Sequence, residues 1–422
     1  MSIVRTLVLA APAILGGAEA PPLAFVEAPG SPIHVGPMAG RPAVADCDGD
    51  GILDVVVACG TCCGDRQDPK SGHIVVLLGD GRGGFRRAPG SPIGVGPSVR
   101  KLALGDLDGD GRIDLVAAEH DRYEITVLLG DGRGGFRPAP GSPVLASPGN
   151  RPHTHDVVLA EVSGDGRLDV ITTNSNDNAL SVLLGDGKGG FSPAEGSPFA
   201  TGRHPYDGIV AEDLNRDGKV DLVVPLMGGN KIGVLLGDGR RGFAHAPDSR
   251  IPVGERPGYT AVGDLDGDGN LDVLASHDDV GMVDLLLGDG TGRFRIAEGS
   301  PLTLSTPVWG IALGDLDGDG DLDALLGAAQ KGEPVILLGD GKGRLTEVTG
   351  LDLDAGDAPG YVALADFDRD GRLDFVTGNY GSGDLSIFLG VRNPTQSSDI
   401  PRPGQSARSQ ISKPPAAPAG RK

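Results

Sequence analysis

Apolar positions along this chain come in short runs rather than in helical stripes. Asp54-Val55-Val56-Val57-Ala58 and Asp114-Leu115-Val116-Ala117-Ala118 are of one kind, Thr126-Val127-Leu128-Leu129-Gly130 is of a second, and glycine or aspartate clusters bound each run. Short β-branched runs beside glycine turns predict strands. A third kind, Lys101 to Gly105, leads into an acidic loop. A fourth short segment follows the turn Asp131-Gly132-Arg133-Gly134-Gly135, opens on Phe136 and ends in Pro-Ala-Pro-Gly-Ser-Pro. Each unit, 51 residues long from Asp213 onward, therefore carries four strands, A to D. Four-stranded units at this spacing predict blades of a β-propeller rather than turns of a solenoid.

The unit recurs seven times. Its acidic loops begin at Asp46, Asp106, Glu161, Asp213, Asp264, Asp315 and Asp366, so the expected fold is an all-β, seven-bladed propeller of four-stranded blades. The last unit supplies strand B at Leu373 to Thr377 and strand C at Leu385 to Leu389 but no strand D. The segment from Leu23 to Pro32 resembles the fourth strands elsewhere, and the N-terminal strand is expected to close the last blade. Such a closure leaves no open edge for another chain. The residue three before each loop is small or branched: Ala43, Ala103, Val158, Val210, Ala261, Ala312 and Ala363. Inner strands converging on a narrow channel need such residues.

The loops themselves read D-x-D-x-D-G-x-x-D in fullest form, which puts alternating oxygen ligands around a hard cation such as Ca²⁺. The candidate ligands are Asp46, Asp48, Asp50 and Asp54; Asp106, Asp108, Asp110 and Asp114; Glu161, Ser163, Asp165 and Asp169; Asp213, Asn215, Asp217 and Asp221; Asp264, Asp266, Asp268 and Asp272; Asp315, Asp317, Asp319 and Asp323; and Asp366, Asp368, Asp370 and Asp374. Up to seven structural Ca²⁺ ions are expected. Fewer charges weaken a site, so the loop at Glu161, with Ser163 in third place, is expected to bind most weakly. An EF-hand would need a glutamate at position 12. That position holds Val57, Ala117, Thr172, Val224, Ala275, Leu326 and Thr377, and none can chelate.

The G-D-x-D-G-D-G-x-x-D loops and the recurring L-L-G-D-G-x-G-x-F turn resemble the FG-GAP/VCBS repeats, whose relatives include the seven-bladed propeller of integrin alpha subunits. The resemblance spans roughly residues 22 to 390. It implies Ca²⁺ in the A-to-B loops, on the face opposite the usual ligand surface.

Charge and termini narrow the setting. The net charge is −21, and no basic face is visible, which argues against nucleic acid as a partner. Arg5, the apolar stretch Thr6 to Gly17 and Ala18-Glu19-Ala20 read as an export signal over residues 1–20. About 12 apolar residues are too few to span a bilayer, so the mature chain is expected to lack a transmembrane segment and to be secreted, periplasmic or at the cell surface, as a monomer. Residues 21–390 are assigned to the propeller and 391–422 to a disordered, basic, Pro/Ser-rich tail. Cys59 is expected to pair with Cys62 or Cys63, leaving Cys47 out, because a strand separates Cys47 from that cluster. A zinc site there, with His73, is the alternative.

Gly79-Asp80-Gly81-Arg82-Gly83-Gly84 satisfies a dinucleotide-binding pattern, yet a strand and not a helix follows it, so a hairpin turn is expected. Function is sought on the other face, where the B-to-C and D-to-A loops carry the departures from the repeat: His120, Asp121, His153, His155, Asp156, His204, Tyr206, Asp207, Tyr259, His277, Asp278, Trp309, Tyr361 and Tyr380. The ligand-face candidates are His153, His155, Asp156, His204, Tyr206, Asp207, His277 and Trp309. Three readings stay open: polar rim residues, a site for an extracellular protein or glycan, or a catalytic or transition-metal centre. The leading reading is an exported Ca²⁺-binding adhesion or recognition module without chemistry of its own. A lectin and a polysaccharide lyase are the alternatives. A lyase would want a basic residue beside an acidic one near the channel, and Arg100-Lys101 is the basic pair entering a strand A.

Overall fold

The computed structural model describes residues 23–60, 72–96, 98–149, 153–330 and 332–391, with the side chain of Arg100 excepted. The stretch expected to be an export signal (residues 1–20), the expected tail from residue 392, and Cys62 and Cys63 lie outside the described residues. Seven antiparallel sheets are arranged in chain order, each a meander. Strands A run Ala43–Ala45, Val99–Gly105, Thr154–Ala160, Val210–Glu212, Pro257–Gly263, Val308–Gly314 and Tyr361–Ala365. Neighbouring A strands touch all the way round, the first and the seventh included. The result is a seven-bladed propeller.

Each strand B begins on the ninth residue of its acidic loop, at Asp54, Asp114, Asp169, Asp221, Asp272, Asp323 and Asp374. Loop and strand are thus one continuous feature of sequence. Strands B and C pack their branched side chains between sheets. One cluster joins Val56, Ile74, Val76 and Leu78 of blade 1 to Leu115, Ala117 and Leu128 of blade 2, and equivalent clusters fill the other gaps. The seven small residues of the A strands are half-buried along the channel.

Strand D departs from the expected single segment. In six blades it comes in two pieces that both pair with strand C, such as Phe136–Pro138 on Leu128–Gly130 and Val144–Leu145 on Glu124–Ile125. The Pro-Gly-Ser-Pro stretch between them bulges away. Ser142 repairs the ladder there, its Oγ accepting the Val127 amide at 2.9 Å, and Ser31, Ser91, Ser197, Ser249 and Ser300 do the same in their blades. A side-chain oxygen thus satisfies a buried donor that the bulged backbone misses.

The N-terminal strand closes the ring. Phe25–Glu27 pairs with Phe388–Gly390, and Ile33–His34 with Asp384–Leu385. Phe25 meets Phe375 edge-on at 4.9 Å, and Phe375 stacks on Phe388. The sequence motif at Gly79 to Gly84 is a hairpin turn: Asp80 accepts the Arg82 and Gly84 amides, and strand Phe85–Arg87 follows. Cys47 and Cys59 are both buried, and the Cys62 or Cys63 expected to pair with Cys59 lies outside the described residues. No helix among them is long and apolar enough to cross a membrane.

Candidate functional site

The acidic loops and the C-to-D turns share one face, and they bind blade to blade. The Cys47 carbonyl accepts the amide of Gly134 in the next blade at 3.1 Å, as Leu107 accepts that of Gly189 and Leu265 that of Gly343. Within a loop, the first aspartate folds the chain around itself: Asp46 accepts the amides of Gly49 and Gly51 at 2.7 and 2.8 Å. The sixth-position glycine has positive φ in every loop, from 79° at Gly51 to 97° at Gly320, a conformation that strains other residues.

The ninth aspartate reaches outside the loop. Asp54 accepts the Cys47 amide at 2.8 Å and that of Gly79, at the end of strand C, at 2.9 Å. The same two bonds recur at Asp114, Asp169, Asp221, Asp272, Asp323 and Asp374. Burial pushes these carboxyls up, to about 6 at Asp54, Asp114, Asp221 and Asp272 and about 7 at Asp323 and Asp374, with the two amides pulling the other way.

At Asp114, Asp272 and Asp323 the ninth aspartate meets its loop partners. Oxygens of Asp106, Asp108 and Asp114 lie within 4.8 Å of one another, as do those of Asp264, Asp266 and Asp272 and of Asp315, Asp317 and Asp323. In the first loop the set is Asp46, Asp48 and Asp50. Crowded carboxylates held by backbone amides fit a hard dication, whose charge would relieve their repulsion. The fifth position competes elsewhere. Asp110, Asp217 and Asp370 pair with Arg112, Lys219 and Arg372 on the exposed rim.

On the opposite face four histidines come together. His153 and His155 flank Thr154, the first residue of strand A of blade 3, and their rings stand on the same side. His120 arrives from the end of strand B of blade 2, pinned by its carbonyl, which accepts the Thr154 amide at 3.0 Å. The rings of His120, His153 and His155 stand 4.4 to 5.0 Å apart, with nitrogens within 4.8 Å of one another. His204 lies 5.9 and 6.0 Å from His153 and His155. Tyr206 packs 4.1 Å from His155. Burial holds the His204 imidazole below its usual range.

Beneath them, at the mouth of the channel, is a buried charged cluster. Lys101 Nζ stands 3.4 Å from Asp207 and about equally, 5.0 and 5.1 Å, over the rings of Tyr259 and Tyr361. Tyr259 donates to Asp207 at 3.1 Å, and His155 Nδ1 is 3.9 Å from the same carboxylate. Asp156 accepts the amides of Val157 and Ile209 at 2.9 Å each. Burial pushes the Asp156 carboxyl up, with Lys101 opposing and Asp207 adding to the shift. Burial likewise raises the Tyr259 hydroxyl, and the Asp207 charge adds to it.

Of the eight ligand-face candidates, His153, His155, His204 and Tyr206 converge, and Asp156 and Asp207 lie directly below. His277 does not join them. It is wholly buried within blade 5, bonded to the Glu255 carbonyl at 2.5 Å and to Asp284 at 3.0 Å. Trp309 stands apart from the histidines, 5.7 Å from both Tyr361 and Tyr380, its indole N–H on Asp279. His120 and Lys101 complete the site although neither belongs to that set of eight. The readable signal for Lys101 is register: it lies five residues before its acidic loop, the place held by Asp156, Tyr259 and Tyr361 in other blades.

An FG-GAP-like repeat model matches residues 46–117, 106–172, 161–224, 264–326 and 325–377, more than half of the chain, and the chain belongs to the FG-GAP-like repeat family. No significant match is found among curated protein sequences. Among solved structures it is similar to an Agrocybe aegerita lectin that recognises non-reducing terminal N-acetylglucosamine (19% identity, 86% of this chain and 87% of that one, TM-score 0.50). It is also similar to the Bacillus licheniformis rhamnogalacturonan lyase PL11 (14%, 87% and 75%, 0.50). A third is a putative 6-phosphogluconolactonase from Bacteroides uniformis (14%, 81% and 93%, 0.57). At these identities the likeness is one of fold.

Proposed function

We propose that the chain is an exported, Ca²⁺-stabilised recognition propeller whose histidine-bearing face binds a glycan. The observation that carries this reading is the division of labour between faces. Residues that keep the repeat occupy the acidic face, and four of the residues that break it, His153, His155, His204 and Tyr206, converge on the other. Imidazole and phenol groups on a partly exposed rim offer rings to stack and donors and acceptors for hydroxyls, the combination a polar, ring-shaped ligand needs. Variable loops on a rigid scaffold are where binding sites sit. The lectin likeness is in keeping with this. Ca²⁺ would be held by the first, third and ninth loop positions, such as Asp264, Asp266 and Asp272, and would tie each blade's entry to its neighbours.

The test is a glycan array with the Ca²⁺-loaded protein and with Tyr206→Ala. Binding that Tyr206→Ala reduces about tenfold or more, a loss of about 1.4 kcal/mol, supports the reading. Binding unaffected by that change, or none at all, rejects it. Chelation should separately lower the melting temperature, because each site held at a hundred times its Kd adds about 2.7 kcal/mol. An unchanged melting temperature would remove Ca²⁺ from the proposal.

One observation favours a second reading, a polysaccharide-acting lyase: Lys101 stands beside Asp207 and Tyr259 at the channel mouth, a base and acid of the kind proton abstraction requires. Release of unsaturated sugars from acidic polysaccharides, lost in a Lys101→Met variant that keeps the parent's near-ultraviolet circular dichroism, would establish it. Intact polysaccharide after prolonged incubation would reject it.

A further inference from the structure

We propose that His120, His153 and His155 form a binding site for one first-row transition-metal dication, Zn²⁺ before the others, on the face opposite the acidic loops. Three observations converge. The imidazole nitrogens of these residues lie within 4.8 Å of one another, and a Zn²⁺ ion with nitrogen ligands at about 2.0–2.1 Å requires only a small contraction of such a set. The three rings are presented by rigid backbone. His153 and His155 bracket the first residue of strand A with their rings 4.4 Å apart, and the His120 carbonyl is bonded to the Thr154 amide that lies between them. Finally, His120 has the outer partner that metal-ligating histidines carry. Its Nδ1 faces Asp121 Oδ1 at 3.0 Å, and Asp121 is held in turn by the Ser98 hydroxyl at 2.7 Å. That bond fixes the tautomer with the lone pair on Nε2.

The donor set separates this site from the acidic loops. Neutral imidazoles suit Zn²⁺, Cu²⁺ or Ni²⁺, whereas carboxylates and carbonyls suit Ca²⁺. Three histidines also leave a fourth position open, for water or for an oxygen of a bound ligand. His204, on the rim 5.9 Å from His153 ring to ring, stands at that side without belonging to the set. His153 is the half-buried member, and His120 and His155 are buried. The metal site goes beyond the recognition reading and stands without it, since metal uptake is measured with no glycan present.

The experiment is a Co²⁺ titration of the full chain in saturating Ca²⁺, so that the acidic loops are filled and colour reports nitrogen ligation at low coordination number. One equivalent of Co²⁺ should give an intense visible band that Zn²⁺ abolishes. His153→Gln should remove the band while leaving Ca²⁺ uptake and near-ultraviolet circular dichroism unchanged. Asp121→Asn, which keeps all three histidines, should weaken Co²⁺ binding about 10- to 100-fold. No band in the unaltered protein, or a band undiminished in His153→Gln, overturns the site. Should His153→Gln fail to fold, unchanged affinity in Asp121→Asn overturns it instead.

Discussion

At the residue scale, aspartates that look alike in sequence do different work. The ninth aspartate of each acidic loop is buried and holds two backbone amides, whereas the fifth is exposed and bonds within its own turn, as Asp268 does with Asn270. In Ca²⁺-free buffer, Asp272→Ala should therefore cost about 2–4 kcal/mol by urea unfolding, because two buried amides lose their acceptor. Asp268→Ala should stay within about 0.5 kcal/mol. Equal costs would show that the ninth position acts only through a cation. Lys101 makes a second residue-scale case. Its removal leaves Asp207 buried without its cation, and Lys101→Met is expected to destabilise by about 3–5 kcal/mol, measured by the same unfolding. Adding Asp207→Asn should recover much of that loss. Which histidines matter was only half legible: His277 and His120 are both loop-edge histidines in sequence, but one turns into its own blade and the other toward the neighbouring strand. Side-chain direction at a strand end is decided by the partners the fold brings to it, here Asp284 and the Glu255 carbonyl for His277 and Asp121 and the blade 3 histidines for His120.

At the scale of the element, strands A, B and C were readable because β-branched runs and glycine turns are local signals. Strand D was read only in part. Its second piece is two residues long in each of six blades, too short to carry a period, and it exists because strand C offers a partner. The serine of the intervening bulge is the link. Ser142→Ala should lower stability by about 1 kcal/mol, the net worth of one hydrogen bond, seen as a lower urea midpoint with unchanged slope. A variant as stable as the parent would show that the bulge is satisfied by water. Blade 6, whose fourth strand Leu345–Glu347 is followed by Val348-Thr349-Gly350-Leu351 without the serine, has no second piece, in keeping with that role.

At the scale of the whole molecule, closure joins residues more than 350 positions apart in sequence, such as Ser31 and Ile387. The closing strand covers the outer edge of Asp384–Gly390, and unpaired edges recruit other chains. Deleting residues 1–35 should therefore convert a monodisperse protein into dimers and larger species by size-exclusion chromatography with light scattering. A monomer after deletion would mean that the edge is blunted by other means. The sequence by itself determined the repeat, the blade number, the acidic face and the strand that closes the ring, because each is written in local period and composition. Only the tertiary structure decided which rim residues meet. His120, His153, His155 and His204 come from three blades, and Lys101 and Asp207 from two, so their distances depend on how successive sheets stack around the channel. Residues so separated have no joint period in the chain, and it is ring packing that turns scattered departures from the repeat into one site.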